Sequence, residues 1–156
     1  MKKAPIIVSA CLVGRRCRYN GEDRAHPAVI GFLRGKNYVA LCPERLAGWR
    51  VPRPAVEFHG GGAKEVAAGK ARIRDSRGRD RTASLIKGVV KALSRAISLQ
   101  TREAILKEKS PSCGVKKVYR DGRLRRGGGL FTHWLRQSGV KVLSEESFAK
   151  EGPRKL

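Results

Sequence analysis

Apolar residues along this chain come in short blocks separated by glycine, proline and charge. Ala4–Ala10 is an apolar, β-branched run that ends in a glycine-containing turn, the pattern of a strand buried on both faces. A helix is predicted after Pro27, over Ala28–Gly35, with Gly35 closing it. Tyr38–Leu41 is a second short strand that leads directly into Cys42-Pro43-Glu44. Thr82–Thr101 carries the clearest helical spacing, with Leu85, Ile86, Val89, Val90, Leu93 and Ile97 recurring at helical intervals and Asp80 or Thr82 as cap. Glu103–Leu106 resumes as a strand, and Lys107–Gly114 is the turn after it. Val118–Leu124 reads as a hairpin about Asp121-Gly122, Leu130–Ser138 as a helix capped by Gly139, and Val140–Leu143 as a last strand. Two segments carry no clear period. Ala47–Gly62, rich in Pro and Gly, is expected to be a loop, and Val66–Arg74 a hairpin or strand pair about Ala68-Gly69.

This alternation predicts a single α/β domain over residues 1–150, with a mainly parallel, Rossmann-like sheet flanked by helices and a frayed tail over 151–156. Ligand sites in such sheets form where loops leave the carboxyl ends of strands. Cys11 follows Val8-Ser9-Ala10, Cys42 follows Ala40-Leu41, and Cys113 lies in the turn after Ala104-Ile105-Leu106. All three can therefore meet at one rim. They are either ordinary buried cysteines, a common fate for this residue, or thiolate ligands for an iron–sulfur cluster, zinc or copper. Their placement in loops favours the second reading. A four-iron cubane held by only three cysteines keeps one iron open as a thiophilic Lewis acid.

Composition narrows the choices. No run approaches the ~20 apolar residues of a membrane span. The basic-then-apolar start is followed at once by Arg15, Arg16 and Arg18, so no cleavable leader fits and a cytoplasmic location is expected. Four cysteines there argue against a disulfide framework, and the absence of Cys-x-x-Cys and His-x-x-x-His spacings argues against a zinc finger. His26, His59 and His133 are dispersed. Lys and Arg number 35 against 13 Asp and Glu, a formal charge of +22, which attracts polyanions but equally describes a solvated basic surface. Cys17 could be a fourth ligand, but among arginines on an expected surface loop it reads as a reactive thiol or, better, as incidental.

The residues themselves resemble a known family. Ser9-Ala10-Cys11-Leu12 with Gly14, Arg18-Tyr19-Asn20-Gly21, Cys42-Pro43-Glu44, Pro52-Arg53-Pro54 and Ser110-Pro111-Ser112-Cys113-Gly114 occur in the order of the DUF523, or TudS, family, whose characterised members are thiouracil desulfidases. The resemblance runs from Ile6 to about Glu146. It implies a [4Fe–4S] cluster on Cys11, Cys42 and Cys113, with the open iron taking the sulfur of a thiolated pyrimidine, water replacing that sulfur, and sulfide leaving. The implied substrate is thiouracil, a 4-thiouridine nucleotide or thiolated tRNA. The family's acidic residue matches Glu44 and its serine matches Ser110.

Those roles make chemical sense. Glu44, two residues from a ligand, can act as general base, or can pair with an arginine. Ser110 or Ser112 can donate to substrate or cluster sulfur, or can cap the turn. Lys107, Lys109 and Arg53 can contact a carbonyl or phosphate oxygen, or be solvated. Some relatives add an RNA-binding domain, for which 156 residues leave no room, so tRNA contact would fall to the basic surface. The alternative, a basic RNA-binding module with a structural metal or cluster, is disfavoured by an aromatic content of only 6%. Redox sensing through Cys17 is a third reading.

Overall fold

The computed structural model describes residues 3–149; the expected tail over 151–156 lies outside the described residues. β1 (Ile6–Ser9) is buried at every position and hydrogen-bonded on both edges. It runs parallel to β2 (Tyr38–Leu41), with Val8 opposite Ala40, and parallel to β5 (Glu103–Leu106), with Val8 opposite Ile105. β8 (Lys141–Ser144) adds to the far edge of β5, again parallel, giving the order β2-β1-β5-β8. Helices cover both faces, which is why the central strands are apolar without alternation. Ile6, Val8 and Ile105 pack with Val29 and Phe32 of α1 (Pro27–Leu33) and Phe148 of α6 (Glu146–Ala149). On the opposite face, Ile7, Ala104 and Leu106 pack with α4 (Thr82–Ser98) and α5 (Leu130–Gln137). From α4, Leu85, Val89, Ala92 and Ala96 are buried, and each such Leu or Val contributes about 1.5–3 kcal/mol.

The expected parallel sheet and flanking helices are present, but a second sheet was not expected. It comprises β4 (Arg72–Asp75), β3 (Val56–His59), β6 (Lys117–Arg120) and β7 (Arg123–Arg126), in that spatial order. The outer pairs are antiparallel, the middle pair parallel. Its Phe58, Ile73 and Val118 share one core with Ile7 and Leu106 of the first sheet.

Both segments without a clear period belong to this region, and both expectations need correcting. The expected loop Ala47–Gly62 contains β3, whose only fully buried residue is Phe58, too little for an alternation to register. The expected hairpin over Val66–Arg74 is instead α3 (Ala63–Ala67) followed by β4. Glu65 folds back to accept the Gly62 N–H at 2.9 Å, and Gly69, at φ +77°, turns the chain out of the helix. β4 then pairs antiparallel with β3 across the intervening α3 and not through a tight turn, so no local turn signal marks it. Smaller differences concern ends. α4 stops at Ser98, with Arg81 at its cap position; Asp80 accepts the Thr82 N–H, while Thr82 Oγ1 takes the N–H of Ile73. Gly139, at φ +82°, lies one residue beyond the Ser138 cap of α5.

α2 (Pro43–Leu46), also unforeseen, begins immediately after Cys42 and carries Glu44 in its only turn. It rests on α4 at Gly88, where a Cβ would strike the Pro43 carbonyl and the Ala47 backbone. Alanine normally gains ~1 kcal/mol over glycine inside a helix. Overpacking costs about 1–3 kcal/mol, so Gly88→Ala should be destabilised in urea unfolding. A stabilised variant would show that α2 is not seated there.

Candidate active site

Because β1, β2 and β5 are parallel, their carboxyl ends open on the same side, and a cavity of about 550 Å³ lies there. The second sheet forms its opposite wall through Val56, Glu57 and Tyr119. Cys11, Cys42 and Cys113 all line it, as the strand order requires. So does Cys17. Expected on a surface loop, it is only 8% exposed and lines the same wall, with its carbonyl 4.0 Å from Cys42 Sγ.

Crowding and burial hold the thiols of Cys17, Cys42 and Cys113 above the ordinary cysteine value. The hydrogen bond to Cys11 is the foremost of the influences that leave the Cys17 thiol pushed up to about 11. Cys42 is pushed up further, first by its bond to Cys17 and then by burial. Burial raises Cys113 to about 12, against the hydroxyls of Ser9 and Ser112, which act in the other direction. A cationic centre reverses this balance, since a coordinated thiol gives up its proton.

Glu44 stands beside the thiols, largely buried, and is gripped by Arg53: Nε and Nη2 reach the same oxygen, Oε1, at 3.0 and 2.7 Å. Arg53 also donates to the carbonyls of Cys17 at 2.9 Å and Arg50 at 3.1 Å. Its donors are thus engaged with the protein, and the sequence alternative of a Glu–Arg pair is realised.

The turn presenting Cys113 is folded around Glu108. This buried carboxylate accepts three successive backbone N–H groups at Oε1, from Val115, Lys116 and Lys117, at 2.6, 2.8 and 3.1 Å. Burial works to raise its pKa, yet the backbone donors outweigh it and hold the group below the ordinary glutamate value. Ser110 Oγ accepts the N–H groups of Ser112 and Cys113, both at 3.1 Å, and shares a 2.9 Å bond with Ser112 Oγ. Ser112 Oγ in turn donates towards Cys113 Sγ at 3.7 Å. Gly129, at the start of α5, lies so close to Ser112 that any Cβ would collide with its carbonyl. Lys107 reaches the cavity wall with Nζ 3.1 Å from both the Glu108 carbonyl and Glu145 Oε2, and Lys109 lines the wall exposed.

Three lining residues escaped residue-level reading. Arg18 Nη1 is a buried donor without a hydrogen-bond partner, and Tyr19 and Tyr119 present half-exposed rings to the cavity. Arg18 and Tyr19 were visible only as part of the family motif. Tyr119 became a wall residue through the unforeseen second sheet.

A thiol-lined cavity at the carboxyl rim of a parallel sheet defines a site for a soft metal centre. The 2-thiouracil desulfurase family model matches residues 6–147, and the chain belongs to that family. It is 34% identical to a solved structure, that of the [4Fe–4S]-dependent thiouracil desulfidase TudS, over 93% of each chain with a TM-score of 0.77. It is also 38% identical over 143 residues to YbbK of Bacillus subtilis (strain 168), covering 90% of this chain and 95% of that one. The donor set suits an iron–sulfur cluster: the cavity holds thiols and no histidine. Among the described residues, no three His, Cys, Asp or Glu donors are gathered as a single metal ion needs. A cubane carries its irons at separate corners, and its ligands stand around a space.

Glu108→Gln should destabilise the protein by about 1–3 kcal/mol at neutral pH by weakening the charge-assisted bonds. The folded carboxyl titrates below its unfolded value, so its contribution is full above the ordinary glutamate range and fades as pH falls through the folded value. Denaturant melts across pH should therefore converge in acid; a constant gap would assign the loss to packing.

Proposed function

We propose that this chain is an iron–sulfur-dependent desulfidase that exchanges the sulfur of a thiolated pyrimidine for a water oxygen and releases sulfide. The observation that carries this reading is the meeting of Cys11, Cys42 and Cys113 with Glu44 in one cavity. Family membership and the similarity to TudS support it. When bound on three thiolates, a [4Fe–4S] cluster supplies an open, thiophilic iron for the thiocarbonyl sulfur.

The rest falls to the protein. Arg53 occupies Oε1 of Glu44, so Oε2 is left to take a proton from the attacking water. Oxygen then replaces sulfur at the ring carbon, and no electrons are transferred. Lys107 spends two donors on Glu108 and Glu145 and keeps a third for a ring carbonyl. Arg18 Nη1 is a buried donor on the wall that is left without a partner. Tyr19 and Tyr119 offer faces for the pyrimidine. Ser110 we assign to the turn, and Ser112 to the Cys113 sulfur, on the hydrogen bonds they make. Four free cysteines suit a reducing cytoplasm, and no helix of the described residues is long and apolar enough to cross a membrane.

The charge favours a nucleotide or tRNA over a free base. β7 is exposed at every position, with Arg123, Arg125 and Arg126 along it, and a groove beside it is lined by Lys64, Arg120 and Arg136.

After anaerobic reconstitution, 2-thiouracil, 4-thiouridine monophosphate and thiolated tRNA should be compared for sulfide release. Cys11→Ala, Cys42→Ala and Cys113→Ala should each lose bound iron. Glu44→Gln should keep it and slow sulfide release by about 10²–10⁴-fold. A colourless wild type, or a fully active Glu44→Gln, contradicts the scheme.

Binding of thiolated tRNA should weaken steeply with salt, and replacing Arg123, Arg125 and Arg126 with alanine should flatten that slope. Release from free 2-thiouracil should be unchanged. A salt-insensitive titration removes tRNA from the reading.

A further inference from the structure

The cysteines do not divide into three ligands and a spare. Cys17 lies on the same wall as Cys11, Cys42 and Cys113, and it is buried. Its backbone is held there from two directions. The Cys17 carbonyl accepts Arg53 Nη2 at 2.9 Å and faces Cys42 Sγ at 4.0 Å, and the Tyr19 carbonyl accepts the Arg53 N–H at 2.7 Å. On the other flank, Arg24 N–H returns to the Cys11 carbonyl at 2.9 Å, closing the 14–24 loop over the end of β1. The arginine that grips Glu44 therefore also holds Cys17 to the cavity. An incidental surface cysteine needs no such support.

We propose that Cys17 is a displaceable fourth thiolate ligand, placed to occupy the iron position that Cys11, Cys42 and Cys113 leave for a substrate sulfur. The proposal rests on the cluster reading above. A thiolate is apt because it is soft, like the sulfur that replaces it. In the exchange one iron–sulfur bond breaks and one forms, without change of oxidation state. The departing Cys17 Sγ keeps its electron pair and takes a proton from water. Until substrate arrives, the fourth iron is shielded from solvent and oxidant, and solvent exposure is one of the factors that tune a cluster.

The test uses Cys17→Ser and Cys17→Ala beside wild type, all reconstituted anaerobically. Iron and sulfide per chain are measured, followed by electron paramagnetic resonance during ferricyanide oxidation. Each protein should bind four irons, while the variants should form the paramagnetic three-iron cluster several-fold faster than wild type. Equal rates with iron bound overturn the role of Cys17 and leave the desulfidase reading standing. Loss of all iron from both variants, with unchanged melting of the metal-free proteins, also overturns it, because Cys17 would then be a permanent ligand. A wild type that binds no iron overturns both readings.

Discussion

The cavity depends on β1 being paired in parallel on both edges. Ser9 sits opposite Leu41, and Val8 opposite Ile105, so the chain leaves three strands at one level. Cys11 and Cys42 then emerge side by side, within two residues of their strand ends. An antiparallel neighbour would have sent one of them to the far end, about 13 Å away for a four-residue strand. Register matters equally. A slip of one residue would exchange Ile6, Val8 and Ile105 with Ile7 and Leu106 between two differently shaped helix layers.

Strand pairing does not suffice for Cys113, which lies farther along its loop. Acidic side chains complete the placement. Glu108 gathers three backbone N–H groups, and Glu145 accepts the Glu108 N–H at 2.8 Å while pairing with Lys107. Asp75 does the same at the other sheet, taking the N–H groups of Arg77 and Arg79, both at 2.9 Å. Several of the 13 acidic residues are thus spent inside, as loop organisers. The surface is left more basic than the composition alone conveys, and β7, exposed along its length, is one of the places where that excess is concentrated in sequence.

The legible parts of the sequence were those whose partners are close by or whose burial is complete. Glu103–Leu106 coincides with β5 because a strand buried on both faces writes a near-continuous apolar block, and Tyr38–Leu41 coincides with β2 because this half-buried edge strand is apolar at every position. The Asp121-Gly122 hairpin was readable because its turn dictates its own residues, both at positive φ. β3 and β4 were illegible for the opposite reason. Each has few buried residues, and their pairing is set by the core beneath them, which no local pattern encodes. Within the site, Cys11, Cys42, Cys113 and Glu44 could be picked out as chemistry adjoining strand ends. Cys17 could not, because the bonds that turn it inward come from Arg53, which lies on a distant loop.

Arg53 joins the two halves of the chemistry. A buried ion pair is a weak source of stability, because desolvation offsets much of the attraction. Its value here is geometric. Both nitrogens bind the same oxygen of Glu44, so the carboxylate is fixed in orientation and open at the other oxygen. The guanidinium simultaneously ties down the backbone at Cys17. Any movement of the Cys17 loop must therefore be felt at Glu44. On the scheme proposed above, a ligand that took the place of Cys17 would act on the proton acceptor through this one side chain.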